Sequence, residues 1–281
     1  MIAPGTLYLV GTPIGNLGDL SPRALETLSG VDFVAAEDTR VTGALLAHCG
    51  IKKPLVSYYE HNLRQRGEQI LSRLKAGESC ALCTDAGMPA ISDPGCDVVR
   101  LCHEAGVPVA AVPGPSAVTT ALALSGLDTG RFVFEGFLST SRKSRFEHLA
   151  ALKDEPRTIV LYEAPHKLRR TLDDLLEALG ERQIALCREM TKLHEEVLRT
   201  TLSAAIAHFS QTEPRGEFVL VIEGAAPALQ QAPSGGDVEQ ALRRALDEGL
   251  TGRDAVKRVS EQCRLPKNQV YACYTGLIEK D

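Results

Sequence analysis

Short, continuously apolar runs alternate with amphipathic stretches through the first part of the chain, and glycine, proline and aspartate mark most of the boundaries. The runs Thr6–Val10, Asp32–Ala36, Leu55–Tyr58, Ser79–Thr84 and Val107–Val112 read as strands buried on both faces of a sheet. Helices are expected between them. Ser21 as N-cap, Pro22 at the first helical position and Gly30 past the end bracket the first. Thr42–Cys49, Asn62–Ala76, Gly95–Ala105 and Ser116–Leu124 supply the others. This alternation predicts a mostly parallel, doubly wound α/β domain over residues 1–118.

The pattern then changes. Arg131–Phe137, Thr158–Tyr162, Gln183–Arg188, Val197–Thr200 and Glu217–Glu223 are strand candidates, with helices at Arg142–Leu152, Lys167–Leu179 and Leu202–Ser210. Strands that adjoin without a helix between them predict a mixed sheet in a second α/β domain, 119–226. A linker rich in Ala, Gln, Pro and Gly follows at 227–236, and 237–281 reads as a small extension of short helices. Thr251–Asp254 and Pro266–Gln269 start its last two helices, a pairing like the helix-turn-helix of nucleic-acid binders, although a plain packing appendage fits equally. Its eight acidic and eight basic residues do not decide between them.

Composition narrows the choices. A net charge of −5 over 281 residues gives no overall attraction to nucleic acid, so any RNA contact must come from local basic patches. No apolar stretch is long enough to span a membrane and Met1–Leu9 shows no signal-peptide pattern, so a cytoplasmic protein is expected. Eight cysteines in that setting read as reduced thiols. The single C-x-x-C, Cys80 and Cys83, falls inside an expected strand, where residues three apart face opposite ways and cannot share one metal ion. No metal site is expected.

Chemistry concentrates in loops. Leu9–Asp19 breaks from strand into Gly11, Pro13, Gly15 and Gly18; Thr84–Gly95 and Pro113–Ala117 follow later strands. Loops at the same ends of parallel strands form one crevice, the usual ligand site of such sheets. Gly11, Gly15 and Gly18 do not fit G-x-G-x-x-G, and Pro13 stands where a dinucleotide turn needs backbone N–H groups. The Glu37–Asp38 pair at the end of the second strand keeps a dinucleotide-dependent oxidoreductase open as an alternative. No G-K-[ST], G-x-S-x-G or H-E-x-x-H occurs.

In order along the chain stand T-P-I-G-N-L-G-D from Thr12, A-E-D-T-R from Ala36, T-D-A-G-M-P-A-I-S-D-P-G from Thr84 and P-G-P-S-A from Pro113. F-E-G-F-L from Phe134, Y-E-A-P-H-K from Tyr162, R-E-M-T-K from Arg188 and G-E-F-V-L from Gly216 follow. The set closely resembles the bacterial small-subunit ribosomal RNA methyltransferases of the tetrapyrrole methylase superfamily, from about Leu7 to Glu223. The resemblance implies two α/β domains with the cofactor cleft between them, S-adenosylmethionine as methyl donor, and 2′-O-methylation of a cytidine in the decoding region of small-subunit rRNA. It also implies a homodimer acting on that rRNA or on the assembled small subunit. A methyltransferase of the same fold acting on a tetrapyrrole or other small molecule is the alternative, and a non-enzymatic RNA- or protein-binding module is the last.

Carried onto this chain, the implied cofactor residues are Pro13, Asp85, Ala86, Gly87, Met88, Ile91, Ser116, Ala117, Tyr162, Glu163 and Glu217. Met88 replaces a commoner threonine and Ala164 a commoner serine, changes that backbone contacts survive. Candidates for the base that takes the hydroxyl proton are Glu37, Asp38, His61, Glu163, His166, Glu189 and Lys192, and the residues alone do not choose among them. Each also has an ordinary reading as a helix cap or solvated charge. Arg40, Arg142, Lys143, Arg145, Arg188 and Lys192 are candidates for holding RNA phosphates.

Overall fold

A computed structural model describes residues 2–226, 235–263 and 265–278. Two compact units divide the chain, Met1–Gly224 and Ala225–Asp281. Most of the linker expected at 227–236 lies outside the described residues.

The first unit holds two five-stranded sheets. In the first, β1 (Leu7–Val10), β2 (Phe33–Ala36), β3 (Leu55–Ser57), β4 (Cys80–Cys83) and β5 (Val109–Val112) run in the order β3-β2-β4-β1-β5. All four neighbouring pairs are parallel. Alternate residues of each strand serve opposite faces. Leu7, Phe33, Ala35, Cys80 and Leu82 pack with Ile70 and Leu74 of α3 (Leu63–Lys75) and Val98 and Cys102 of α4 (Cys96–Glu104). Tyr8, Val10, Val34, Ala81 and Cys83 pack with Ala24 and Leu28 of α1 (Pro22–Gly30) and Leu46 of α2 (Thr39–His48). The doubly wound reading therefore holds, and Cys80 and Cys83 sit in different cores on opposite faces. Burial pushes the Cys83 thiol up to about 12, which suits a packing side chain and not a thiolate.

Two local details depart from the pattern reading. Helix α2 begins at Thr39 because the Asp38 carboxylate caps it, accepting from the Arg40 N–H at 2.8 Å. A 3₁₀ turn, Leu17–Asp19, forms within the first loop, closed by the Asn16 side chain accepting from the Gly18 N–H at 2.9 Å.

The second sheet is mixed, as expected. It contains β6 (Phe132–Phe137), β7 (Thr158–Glu163), β8 (Gln183–Arg188), β9 (Glu196–Thr201) and β10 (Phe218–Ile222), in the order β6-β7-β10-β8-β9. Only β6 and β7 pair in parallel. Helix α5 (Ala117–Ser125) packs Val118, Ala121 and Leu122 against one face, so the chain leaves the first sheet in the Pro113–Ser116 loop. The other face buries leucines of α6 (Arg142–Leu152), α7 (Pro165–Leu179) and α8 (Leu202–Gln211).

The second unit, taken by itself, has three helices among its described residues: α9 (Gly235–Asp247), α10 (Gly252–Cys263) and α11 (Lys267–Ile278). Val238, Leu242, Val256, Val259, Val270 and Leu277 form its own small core. No helix among the described residues is long and apolar enough to cross a membrane.

One backbone contact governs how the first sheet meets its ligand side. A β-carbon on Gly11, after β1, would lie 2.7 Å from the Gly114 Cα, and one on Gly114 would lie 2.8 Å from the Gly11 carbonyl oxygen. Both atoms are main chain, so neither can swing aside. Gly114→Ala should therefore destabilise the protein by about 1–3 kcal/mol. Gly11→Ala should do the same, and the double variant should cost less than the two together, because one separation relieves both clashes. Urea unfolding of the four proteins checks this; additive losses, or none, would contradict the contact.

Candidate cofactor and substrate cleft

In the order β3-β2-β4-β1-β5, the loops after β4, β1 and β5 leave neighbouring strand ends and meet at the carboxyl edge of the sheet. The first two are tied together. Thr12 N–H donates to the Gly87 carbonyl at 2.9 Å, Gly87 N–H returns to the Thr12 carbonyl at 3.1 Å, and the buried Thr12 hydroxyl donates to the Thr84 carbonyl at 3.1 Å. Gly87 sits at φ +88°, which only glycine adopts without strain.

These loops and the end of the second sheet enclose a cavity of about 540 Å³. The first sheet contributes Ile14, Ala86, Gly87, Met88, Ile91, Asp93, Ser116 and Ala117. The second contributes Phe137, the run Tyr162–His166, Glu189, Met190, Lys192 and Glu217–Val219. The size is that of a pocket for a whole small cofactor. Of the expected cofactor residues, Ala86, Gly87, Met88, Ile91, Ser116, Ala117, Tyr162, Glu163 and Glu217 meet here. Pro13 and Asp85 do not. They line a smaller hollow of about 250 Å³ with Leu17, Val41 and Thr42, because the tie between Thr12 and Gly87 turns successive residues of one loop to opposite sides.

The expected base candidates separate in the same way. Glu163, His166, Glu189 and Lys192 line the cavity; Glu37, Asp38 and His61 do not. Asp38 is committed to Arg40, whose guanidinium holds its carboxyl down near 2. Glu37 accepts the Thr84 hydroxyl at 2.6 Å just behind the cavity wall. Glu163 is buried and serves structure: its carboxylate accepts the Thr171 hydroxyl at 2.5 Å and the Ala164 N–H at 2.8 Å, which fixes the start of α7.

Lys192 lies between two carboxylates, 3.0 Å from Glu189 Oε1 and 3.4 Å from Glu217 Oε2. Burial alone would lower its ammonium, but Glu189 and Glu217 outweigh it and raise it, so Lys192 is a fixed cation at neutral pH. The backbone is bent to put it there: Glu189 and Thr191 both have positive φ, +49° and +68°. Such strain gathers at functional sites. Gly15 completes the seat, since a β-carbon there would lie 2.5 Å from Lys192 Cγ.

Among the lining residues that the sequence reading did not single out, two carry an exposed aromatic ring or a carboxyl that titrates close to neutral pH. Phe137, 57% exposed, stands beside Tyr162 with ring centres 5.5 Å apart and offers an open aromatic face. Asp93 has its carboxyl pushed up to about 6 by burial and by the neighbouring Glu37. Both lie inside motifs quoted above, F-E-G-F-L and the Thr84–Gly95 loop; only the fold shows that they share one wall.

The expected phosphate-binding cations fare unevenly. Arg145 is a correction. It is 3% exposed, donates to Asp174 at 2.6 Å, and donates to the Ser139 and Thr140 carbonyls at 2.9 and 3.1 Å, so it holds the Ser139–Ser141 loop to α7 and cannot reach RNA. Arg40, Arg142 and Lys143 are exposed, each beside a carboxylate, and Arg188 is half-buried against Glu196. Arg145→Ala leaves Asp174 buried with only the 3.8 Å contact to Arg170, and should cost about 3–5 kcal/mol. Arg142→Ala and Lys143→Ala should stay within about 0.5 kcal/mol of the parent. Denaturant midpoints compare the three; an Arg145 variant as stable as the other two would refute the anchoring role.

Comparison with known proteins agrees with this arrangement. The sequence profile of the tetrapyrrole (corrin/porphyrin) methylases matches residues 6–206. The chain is 50% identical over 268 residues to ribosomal RNA small subunit methyltransferase I of Synechocystis sp., covering 95% of this chain and 96% of that protein. It is 42% identical to the Bacillus subtilis protein of the same name, covering 96% and 94%. The namesake from Thermotoga maritima is 50% identical over 220 residues, which is 99% of that protein but 78% of this chain. Among solved structures, a cobalt precorrin-4 methyltransferase superposes with a TM-score of 0.56 at 20% identity, covering 77% of this chain and 94% of that one. Uroporphyrin-III C-methyltransferase of Thermus thermophilus does so with a TM-score of 0.55 at 22% identity, covering 77% and 94%. With two α/β layers sharing one cleft and a profile match across both, this chain belongs to the tetrapyrrole methylase family.

Proposed function

We propose that the protein transfers the methyl group of S-adenosylmethionine to the ribose 2′-hydroxyl of a cytidine in the decoding region of small-subunit ribosomal RNA. The observation that carries this reading is the gathering of motif loops far apart in sequence onto one cavity, in a chain matched almost end to end by relatives named for small-subunit rRNA methylation.

The lining suits that cofactor. Backbone at Ala86 and Met88 and from Ser116 to Ala117 lies along the wall, Phe137 and Tyr162 offer aromatic faces to an adenine ring, and carboxylates at Glu189 and Glu217 favour its cationic groups. Bound there, the cofactor supplies an electrophilic methyl group. The protein's own part is to hold the acceptor oxygen in line with that group and to keep water out, effects that can together contribute on the order of 7–11 kcal/mol. Lys192 supplies positive charge at the cavity wall, suited to a phosphate next to the target ribose or to the oxygen as its proton leaves. Arg40, Arg142 and Lys143 extend the basic surface outward by exchanging their carboxylate partners for phosphates. A homodimer and a cytoplasmic location belong to the same reading.

Calorimetric titration should show binding of S-adenosylmethionine or its demethylated product and none of NAD. Labelled cofactor should mark hypomethylated small subunits at a cytidine ribose. Gly87→Val should abolish cofactor binding with an unchanged circular dichroism spectrum, because φ +88° is closed to a branched side chain; the added carbon itself would meet Ile14 and Pro115 only at ordinary distances of 3.5 and 3.6 Å. Unchanged affinity in this variant would remove the Asp85–Met88 loop from the site.

The helical unit is assigned to substrate docking. It has a core of its own, and the Thermotoga maritima relative is matched in full while a stretch of this chain about as long as that unit is left over. A chain ending at Gly224 should fold and bind cofactor, yet methylate ribosomal substrate less well when RNA is limiting. Full activity at every RNA concentration would show the unit to be packing alone.

A further inference from the structure

Seven titratable side chains line the cavity; Tyr162 is an un-ionised phenol, and most of the other six are already committed. Glu163 is held by Thr171 and the Ala164 N–H. Glu189, Glu217 and Lys192 bond one another. That leaves His166, exposed in the first turn of α7, and Asp93, half-buried in the wall. Among the described residues Asp93 forms no ion pair.

The backbone around Asp93 is built to aim it. Ala90 and Ser92 have φ of +67° and +64°, conformations costly for residues with a β-carbon, and Gly95 closes the turn at φ +152°. A β-carbon on Gly95 would lie 2.8 Å from the Ala90 side chain, so the loop folds tightly back on itself. Ser92 rests against Gly136, at the bulge where the β6–β7 register shifts, which ties this loop of the first sheet to the second. Strain spent on one exposed turn with no ligand to serve has no structural return.

Asp93 also has a place to keep a proton. The Thr84 hydroxyl gives its single proton to Glu37 at 2.6 Å, and its pull on the Asp93 carboxyl, which is downward, is outweighed by burial and by the charge of Glu37. An ionised Asp93 would compete with Glu37 for that one proton. A protonated Asp93 makes no such demand. The facing charges act the same way: Glu37 and Asp85 behind it are both acidic, and Tyr162 on β7 is an un-ionised phenol at neutral pH. Across the cavity the Lys192 ammonium is paired with Glu189 and Glu217 and not with Asp93.

We propose that Asp93 is the catalytic base, taking the proton of the ribose 2′-hydroxyl as the methyl group is transferred. This rests on the ribose methylation proposed above. In the step, the 2′-O–H bond breaks and its proton moves to an Asp93 carboxylate oxygen. The freed oxygen pair forms the new O–CH₃ bond, and the S–CH₃ bond pair returns to sulfur, leaving a neutral thioether. Asp93 then gives its proton up to solvent.

The test compares full-length wild type with Asp93→Asn and His166→Ala. Without any ligand, thermal stability reads the proton on Asp93 directly. A carboxyl that titrates near 6 when folded and near 4 when unfolded binds its proton more tightly in the native state, so it costs stability as pH rises from about 4 to 6 and adds a constant penalty above. The Tm of Asp93→Asn minus that of wild type should therefore grow across that window and level off beyond it. With hypomethylated small subunits, Asp93→Asn should lower kcat by about 10²–10⁴-fold and lose the bend near pH 6 in its rate profile. Its Kd for the demethylated cofactor should stay within about twofold of wild type, a window of roughly 0.4 kcal/mol. His166→Ala should keep the bend. An Asp93→Asn enzyme with near-normal kcat beside an active wild type would overturn this role while leaving the function intact. So would a loss confined to cofactor affinity, a bend that vanishes in His166→Ala, or a Tm difference that ignores pH. A wild type that methylates no ribosomal substrate would overturn the functional reading and this role with it.

Discussion

Gly11 and Gly114 approach until main chain touches main chain, with no room for a β-carbon on either. That contact brings the loops after β1 and β5 together towards one edge of a sheet whose order, β3-β2-β4-β1-β5, places the β4 loop on the other side of β1. The Thr12–Gly87 bridge then closes the third side. Because backbone contacts do not depend on side-chain rotamers, they set the cavity wall to a precision that side-chain packing alone would not give. The cofactor wall of this protein is in this sense a property of its main chain, and substitutions such as Met88 change its lining and not its shape.

On this rigid frame the second sheet hangs the groups that carry charge. Two of its strands end in Glu163 and Arg188, Glu217 directly precedes β10, and its β8–β9 connection is bent through two left-handed residues to bring Lys192 to the cavity. The result is an arrangement in which each strong charge has a partner: Lys192 with two glutamates, Asp38 with Arg40, Arg145 with Asp174. Partnered charges are held in one ionisation state and position substrates well. Asp93 differs, since burial and acidic neighbours push it up and no cation pulls it down. A group that must change its protonation during a reaction cannot be paired tightly in either state.

The chain's alternation of apolar runs with capped helices was sufficient to read both sheets, the doubly wound face assignment and the crevice at the strand ends, because periods of two and 3.6 residues and the positions of Gly, Pro, Ser and Asp are local properties. The tail's helical character was legible for the same reason. Residues of the cavity wall that belong to quoted loops, such as Gly87, Ala117 and Tyr162, were legible as a group through the resemblance of those loops to a family.

What sequence could not supply is which side of a loop each residue faces and who stands opposite it. Pro13 and Asp85 occupy the same loops as Ile14 and Ala86 yet line a different hollow, because one pair of backbone hydrogen bonds turns them away. Arg145 has the look of a surface cation beside Arg142 and Lys143, but its position in the first turn of α6 points it at Asp174, 29 residues away in sequence. Asp93 lies in plain view in the Thr84–Gly95 loop, and its chemistry depends on burial and on the charge of Glu37, 56 positions earlier. Local pattern determined the elements and their order; partner, burial and ionisation are long-range quantities, and the tertiary structure alone decided them.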